Sequence, residues 1–425
     1  MGARLERMGK FRTRAWPHIK KALQWTAIGA ASAQVVAAAS IIAIDSHRKK
    51  RNPPTGEFPH LPPRTVEVDG NEITVYTFGA DLYADMLDAI RGANHTVYFE
   101  SFIVKADEVG DAFKVELIAA AERGVKVNII LDTLGNLNQN PRFRYFPSHP
   151  NIDVIHFPLV RLGTLTGLAK DKGYDHRKLL IVDSNVAFIG GYNIGELYAH
   201  YWRDTHIRIT GPQVWELENS FVDMWNVFRR RKAALPAPRV RHWSPAVRAV
   251  QNIPAYHSYP VRTLYMENID RSSTNVWITM GYFIPDAGVL NSLTAAAKRG
   301  VDVRILIPQY SNHILADWVG RPHYSALLRA GVKIFLFEEA MVHAKTMTVD
   351  GVWSTVGTTN IDALSMNGNY EVNVEIYSRE FAKVMEDIFA SDLTNAHELL
   401  PEVWEQRGAL ARAAENILGP LAPFY

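Results

Sequence analysis

Cysteine is absent from all 425 residues. That removes disulfides, thiolate metal sites, iron–sulfur clusters and cysteine nucleophiles from consideration. It leaves the compartment open, because a chain without thiols is compatible with any redox environment. A surplus of either charge is also missing: 46 Lys and Arg stand against 44 Asp and Glu, for a net charge of +2. This balance argues against bulk nucleic-acid binding, which favours a clearly basic surface, while leaving room for a local basic site. Acids are scarce in one region. Residues 1–21 carry seven cations (Arg4, Arg7, Lys10, Arg12, Arg14, Lys20, Lys21) and one acid, Glu6, and residues 22–44 carry no charge at all.

At about 1.5 Å per helical residue, such an uncharged run is long enough to cross a hydrocarbon core of about 30 Å. It is rich in alanine and holds Gln24, Ser32, Gln34 and Ser40, so it is a weakly apolar span. A second basic cluster, Arg48 to Arg51, comes directly after it. The reading is a single-pass N-terminal anchor in the cell membrane, flanked by cations that meet lipid phosphates. Cations on both flanks leave its sidedness undetermined. Two other readings stand beside it: a cleaved secretory signal ending at 31–33 or 37–39, and an Arg-rich organellar transit sequence. The organisation expected here is a basic segment (1–21), an anchor (22–44) and a proline-rich, stiff linker (45–67).

The remainder of the chain is one unit written twice. Ala119-Ala-Ala-Glu-Arg-Gly-Val-Lys-Val127 recurs as Ala295-Ala-Ala-Lys-Arg-Gly-Val-Asp-Val303. In each copy a helical pattern ends at a glycine suited to a C-cap, and β-branched runs lie upstream (96–103, 275–283) and downstream (125–131, 301–307). Strand, helix, strand predicts βαβ units and parallel sheets covered by helices. The expected fold class is α/β, with two α/β/α sandwich lobes related by a pseudo-two-fold axis and preceded by the hydrophobic helix. The first lobe spans 68–235, a connector 236–256, the second lobe 257–400 and a tail 401–425.

The best-preserved part of the repeat is polar. His176-Arg-Lys178-Leu-Leu-Ile-Val-Asp183 precedes Gly190-Gly191-Tyr-Asn193, and His343-Ala-Lys345-Thr-Met-Thr-Val-Asp350 precedes Gly357-Thr358-Thr-Asn360. Each pair lies 167 positions apart without a gap, and the same offset joins Asp204 to Glu371. A repeat kept only for packing would preserve its apolar positions better than its polar ones.

Residues i and i+2 of a strand share a face, so each His-x-Lys points an imidazole and an ammonium into one space. Lysine supplies a positive charge for a phosphate oxygen, and histidine is a nucleophile or proton carrier near neutral pH. Backbone N–H groups at Gly191 and Thr358, with the amides of Asn193 and Asn360, are expected to surround a phosphate between the copies. Asp204 and Glu371 are expected to orient the imidazoles as the acid does in a catalytic triad. By position alone, Asp183 and Asp350 read as structural, ahead of turns.

Each element has a plainer reading: a solvated histidine, a surface lysine, an Asp-Gly turn. Residues 190–195 (GGYNIG) also carry glycines like a dinucleotide fingerprint, but the second copy reads GTTNID and lacks that spacing. What favours the site is seven matching positions at one offset.

These residues resemble the phospholipase D superfamily, whose mark is a duplicated His-x-Lys-x4-Asp followed by Gly-Gly/Ser-x-Asn. Thr358 stands where Ser or Gly is usual. The resemblance covers roughly 70–400. Within it, HRKLLIVDSNVAFIGGYNIGELY (176–198), WRDTHIRITGP (202–212), YFIPD (282–286) and HAKTMTVDGVWSTVGTTNID (343–362) are most similar to bacterial-type cardiolipin synthases. Those often carry two spans, where this chain shows one.

The resemblance implies a shared site at the lobe interface, no cofactor and no metal, with His176, Lys178, Asp183, His343, Lys345 and Asp350 grouped as catalytic. It implies a phosphohistidine intermediate, with His176 as nucleophile and His343 as general acid. The expected substrate is phosphatidylglycerol at a membrane, with no nucleic-acid partner and an open oligomeric state. A phospholipase D-type hydrolase, another phosphodiesterase and a membrane-anchored lipid-binding scaffold are the alternatives. The apolar segment 158–169 is expected either to admit acyl chains or to be an ordinary loop, and 401–418 to lie on the membrane or to pack on its own lobe.

Overall fold

The connections dictate the sheets. Two βαβ crossovers lay down three parallel strands in each lobe, and tight hairpins then add antiparallel ones. The computed structural model describes residues 2–159, 173–238 and 243–425. The first lobe contributes β1 (Arg64–Val68), β2 (Asn71–Tyr76), β3 (Thr96–Ser101), β4 (Lys126–Asp132), β5 (Ile152–Phe157), β6 (Leu179–Val182), β7 (Val186–Gly190), the short β8 (Trp202–Arg203) and β9 (His206–Thr210). The second contributes β10 (Val247–Asn252), β11 (Asn275–Met280), β12 (Asp302–Pro308), β13 (Lys333–Phe337), β14 (Met341–Val342), β15 (Lys345–Val349), β16 (Trp353–Gly357), β17 (Glu371–Tyr377) and β18 (Ala396–Glu398).

The sheet orders are β1-β2-β9-β7-β6-β3-β4-β5 and β10-β17-β16-β15-β11-β12-β13-β18. From β2 to β5 the first order matches the second from β10 to β13. β1 and β18 are additions at opposite edges. The expectation of parallel sheets is corrected to mixed ones. Within these two sheets, among the described residues, β3–β4–β5 and β11–β12–β13 are the parallel sets, and the strands after each His-x-Lys run antiparallel. The physical reason is the turn. Asp183 and Ser184 have φ of 53° and 52°, and Asp350 and Gly351 have 54° and 61°. Two successive positive φ values make a hairpin turn whose twist suits antiparallel strands.

On the outer face of the first sheet, the Gly79–Arg91 and Glu108–Glu122 helices bury Leu82, Met86, Phe113 and Leu117. The Pro260–Arg271 and Ala287–Lys298 helices do the same for the second. The Val214–Phe228 and Arg379–Leu393 helices share one core with both sheets: Phe221, Trp225, Phe381 and Ile388 pack with Ile189, Ile207, Val356 and Val374. The lobes therefore have a common hydrophobic interior, which fixes their relation.

Several boundaries differ from those read in the sequence. One helix runs Gly2–Arg51, and β1 begins at Arg64, so the linker is 52–63. β10 lies inside the expected connector, because its strand-like VRAVQN pairs antiparallel with β17. Within the long helix, Gln24–Arg51 is long and apolar enough to cross a membrane. Trp25, Val35, Val36 and Ile44 are exposed on it, while Ile41 packs on Ile284, Val319 and Leu418. The tail forms helices Pro401–Glu405 and Ala409–Leu418, and Trp404 is buried with its Nε1–H donating to Ser325 Oγ at 2.8 Å. It packs on the second lobe. Residues 160–172, most of the apolar segment before the first motif, lie outside the described residues.

Candidate active site

The site is built where the two lobes exchange backbone. β14 pairs parallel with β8, and the His343 N–H donates to Arg203 O at 2.7 Å. On the other side Asp175 bridges to Tyr370, and the His176 N–H donates to Tyr370 O at 3.1 Å. Each histidine is thus anchored to the residue just before the other lobe's orienting acid. The side chains obey the same exchange. His343 Nδ1 meets Asp204 Oδ2 at 2.7 Å, and His176 Nδ1 meets both Glu371 carboxylate oxygens at 3.1 Å. The pairing is crossed: neither acid serves the histidine 28 residues before it in its own copy. An ionised carboxylate can only accept, so each Nδ1 carries the proton and each Nε2 is left for chemistry, as a lone pair in the neutral ring or a donor in the charged one.

The lysines repeat too. Lys178 Nζ donates to His176 O at 2.6 Å, and Lys345 Nζ donates to His343 O. Each ammonium folds back over the histidine two residues before it. Beyond the strands, Asn193 and Asn360 each bury an Oδ1 with no partner among the described residues. Buried polar atoms nearly always find a partner, so two orphan acceptors at equivalent positions mark places where a hydrogen-bond donor such as a ligand hydroxyl fits.

Burial dominates the electrostatics. It pushes His343 down to about 3, helped by the Lys345 charge, and it also lowers His176. Desolvation brings Lys178 down to about 8 and Lys345 to about 7, against the pull of the neighbouring carboxylates. Asp204 is held below the usual carboxylate range, because Lys345 and His343 outweigh the cost of its burial. Without a bound anion the cleft thus favours neutral imidazoles. A phosphodiester would favour the charged forms of the cations around it.

Four expected site residues take other places. The Gly191 N–H donates to Thr205 O and the Thr358 N–H to Val372 O, each at 3.0 Å. Neither amide is available to a phosphate, because strand-like pairing continues past β7 and β16. A Cβ at Gly191 would lie 2.0 Å from Asp204 Oδ1, so this glycine makes room for the orienting carboxylate. Thr358 Oγ1 donates to Glu371 Oε2 at 2.5 Å and so holds the other one.

Asp183 and Asp350, grouped as catalytic through the motif, sit in the hairpin turns. Asp183 accepts from the N–H groups of Asn94, His95 and Thr96, and Asp350 from those of Ser273, Thr274 and Asn275. They fasten the turn to the start of the neighbouring strand.

Several contributors were not visible in the repeat. Trp202 packs its ring 5.1 Å from His343, Tyr282 meets the same imidazole edge-on at 5.8 Å, and Phe102 meets His176 at 5.0 Å. Arg203 forms a bidentate buried pair with Asp392 across the lobes, with both N–O distances 2.8 Å. Trp202 and Arg203 adjoin Asp204 in sequence. At the repeat offset, however, they face Asn369 and Tyr370, so a search for matched residues passes over them.

Comparison with known proteins meets this geometry. The family model described as "Cardiolipin synthase, PLD-like domain" matches residues 86–225 and 265–393, one match for each lobe. The chain belongs to this cardiolipin synthase family. It is 31% identical over 363 residues to a cardiolipin synthase of Geobacillus sp. (strain WCH70), covering 83% of this chain and 72% of that protein. It is likewise 31% identical over 369 residues to one from Clostridium perfringens, covering 83% of this chain and 77% of that protein. Among solved structures, the phosphatidylserine synthase of Haemophilus influenzae Rd KW20 shares the fold, with a TM-score of 0.66 at 13% identity over 89% of this chain and 98% of that one. As a member of the cardiolipin synthase family, the chain is a phosphatidyltransferase/phosphodiesterase of the phospholipase D superfamily, and its substrate is a phospholipid.

Proposed function

We propose that this enzyme condenses two phosphatidylglycerols to cardiolipin and glycerol by two displacements at one phosphorus. His176 Nε2 attacks the donor phosphorus, and His343, charged at Nε2 once the phosphodiester anion is bound, protonates the departing glycerol oxygen. The second phosphatidylglycerol then brings a headgroup hydroxyl. His343 takes its proton, its oxygen bonds to phosphorus, and the bond from phosphorus to His176 breaks. Lys178, Lys345, Asn193 and Asn360 hold the non-bridging oxygens. In this reading Asp204 and Glu371 fix the tautomers, and the Gln24–Arg51 segment anchors the enzyme in the cell membrane.

The observation that carries the reading is the crossed pair of imidazole–carboxylate contacts, His343 with Asp204 and His176 with Glu371, which joins one histidine from each lobe to the other. The test is purified enzyme with phosphatidylglycerol in detergent, with EDTA present. Cardiolipin plus free glycerol is the expected product. Phosphatidic acid as the main product would mean hydrolysis, and no product with intact vesicle binding would mean a scaffold.

A further inference from the structure

A groove of about 590 Å³ lies beside the site, at the foot of the N-terminal helix. Its lining includes Arg48 and Lys49 from that helix, Leu197 and Trp202 from the first lobe, and Tyr310 and Asn312 from the second. Two of these residues touch the wall of the catalytic cleft. Trp202 is the residue whose ring packs 5.1 Å from His343, and Asn312 Oδ1 accepts from the hydroxyl of Tyr282, the other ring against His343. None of these contacts involves His176. The groove therefore abuts the site on the His343 side.

In a double displacement, the departing and entering alcohols occupy the same face of the phosphorus in turn, opposite the nucleophile and beside the acid–base. Where phosphatidylglycerol is the alcohol, its own phosphate lies only three carbons from the attacking hydroxyl. An enzyme that selects this alcohol over water needs cations a short way from the acid–base. The groove supplies them. Arg48 lies over the Tyr310 ring at 3.5 Å, and Arg48 and Lys49 both turn toward Asp45, at 2.6 and 2.7 Å. Glu339 also lines the groove and accepts from the Thr55 N–H, so the charges balance at rest, and an arriving phosphate would draw the two cations that share the single Asp45 carboxylate. The position also suits a lipid, because these cations end the segment apolar enough to cross a bilayer.

We infer that this groove is the subsite for the acceptor phospholipid, with Arg48 and Lys49 binding the acceptor's phosphate while its headgroup hydroxyl reaches His343 past Trp202. The inference rests on the proposed transfer reaction and names the second substrate's place in it.

The experiment uses full-length enzyme on phosphatidylglycerol vesicles and reads two reactions together: cardiolipin formation, and exchange of labelled free glycerol into phosphatidylglycerol. Free glycerol carries no phosphate. The Arg48→Ala/Lys49→Ala variant is expected to lower cardiolipin formation about tenfold more than glycerol exchange, with a raised apparent KM for phosphatidylglycerol. Arg48→Lys/Lys49→Arg is expected to restore most of the difference. Leu197→Glu, which places a carboxylate in the groove from an exposed position, is expected to act in the same direction. Equal loss of both reactions in the two charge-altering variants overturns the inference. Wild-type enzyme that makes no cardiolipin at all overturns the proposed reaction instead.

Discussion

His343 and Asp204 meet at 2.7 Å although 139 positions and a lobe boundary separate them. The equivalent pair on the other side, His176 and Glu371, is separated by 195. Each half-site is therefore incomplete without the other lobe. The shared core of the Val214–Phe228 and Arg379–Leu393 helices is what holds the imidazoles in register.

The orienting acids should act through the tautomer. Asp204→Asn and Glu371→Gln keep the size but remove the charge that holds Nδ1 protonated. Each should lower kcat on the order of 10⁴-fold, by analogy with the acid of a serine-protease triad. Each variant should still melt cooperatively, and Glu371→Gln should also reduce labelled phosphate trapped on His176. Wild-type turnover in either folded variant would falsify the orienting role.

Gly191→Ala is a sharper probe, because it adds one methyl and no charge. The new Cβ would meet Asp204 Oδ1 at 2.0 Å, so the carboxylate must shift away from His343. The expected result is a fall in kcat of about 10²-fold, since misplacement of about 1 Å has that effect. Overpacking should cost about 1–3 kcal/mol in stability. Urea denaturation beside steady-state rates separates the two.

Lysine charge should set the alkaline limb of the pH profile. A lysine is charged below its pKa and loses that charge as pH rises through it. With Lys345 at about 7 and Lys178 at about 8, kcat/KM should fall across that interval. In the proposed reaction the attacking His176 must be neutral, and burial lowers it, so the acid limb should lie below the ordinary histidine range. The result is a bell. Lys345→Arg, which stays charged, should move the alkaline limb upward at a reduced rate. A monotonic profile would count against the assignment.

Asp183 and Asp350 should matter for stability more than for chemistry. Asp183→Ala or Asp350→Ala leaves three backbone N–H groups without their acceptor, which should cost about 1–3 kcal/mol. Asp350 is held at about 2, its backbone and hydroxyl donors outweighing partial burial. Its contribution is therefore present at neutral pH and is lost as pH falls through that value. Rates per folded enzyme at low temperature should stay near wild type. A loss of kcat without a loss of stability would return these residues to the catalytic group.

The duplication, its 167-residue offset, the two α/β lobes and the His-x-Lys pairs are all legible in the sequence, because each is a local pattern of residue type and spacing. The hairpin turns are legible for the same reason: Asp183-Ser184 and Asp350-Gly351 carry local φ preferences. Partnership across the lobes is not local. Asp204 could have faced His176 at 28 residues as readily as His343, and sequence separation carries no information about which carboxylate crosses the interface. Only the packing of the two sheets onto shared helices decided that exchange. It also spent the Gly191 and Thr358 amides on neighbouring strands and set Trp202 and Tyr282 against His343. These outcomes arise from hydrophobic burial over the whole interface, which fixes distances that no single segment encodes.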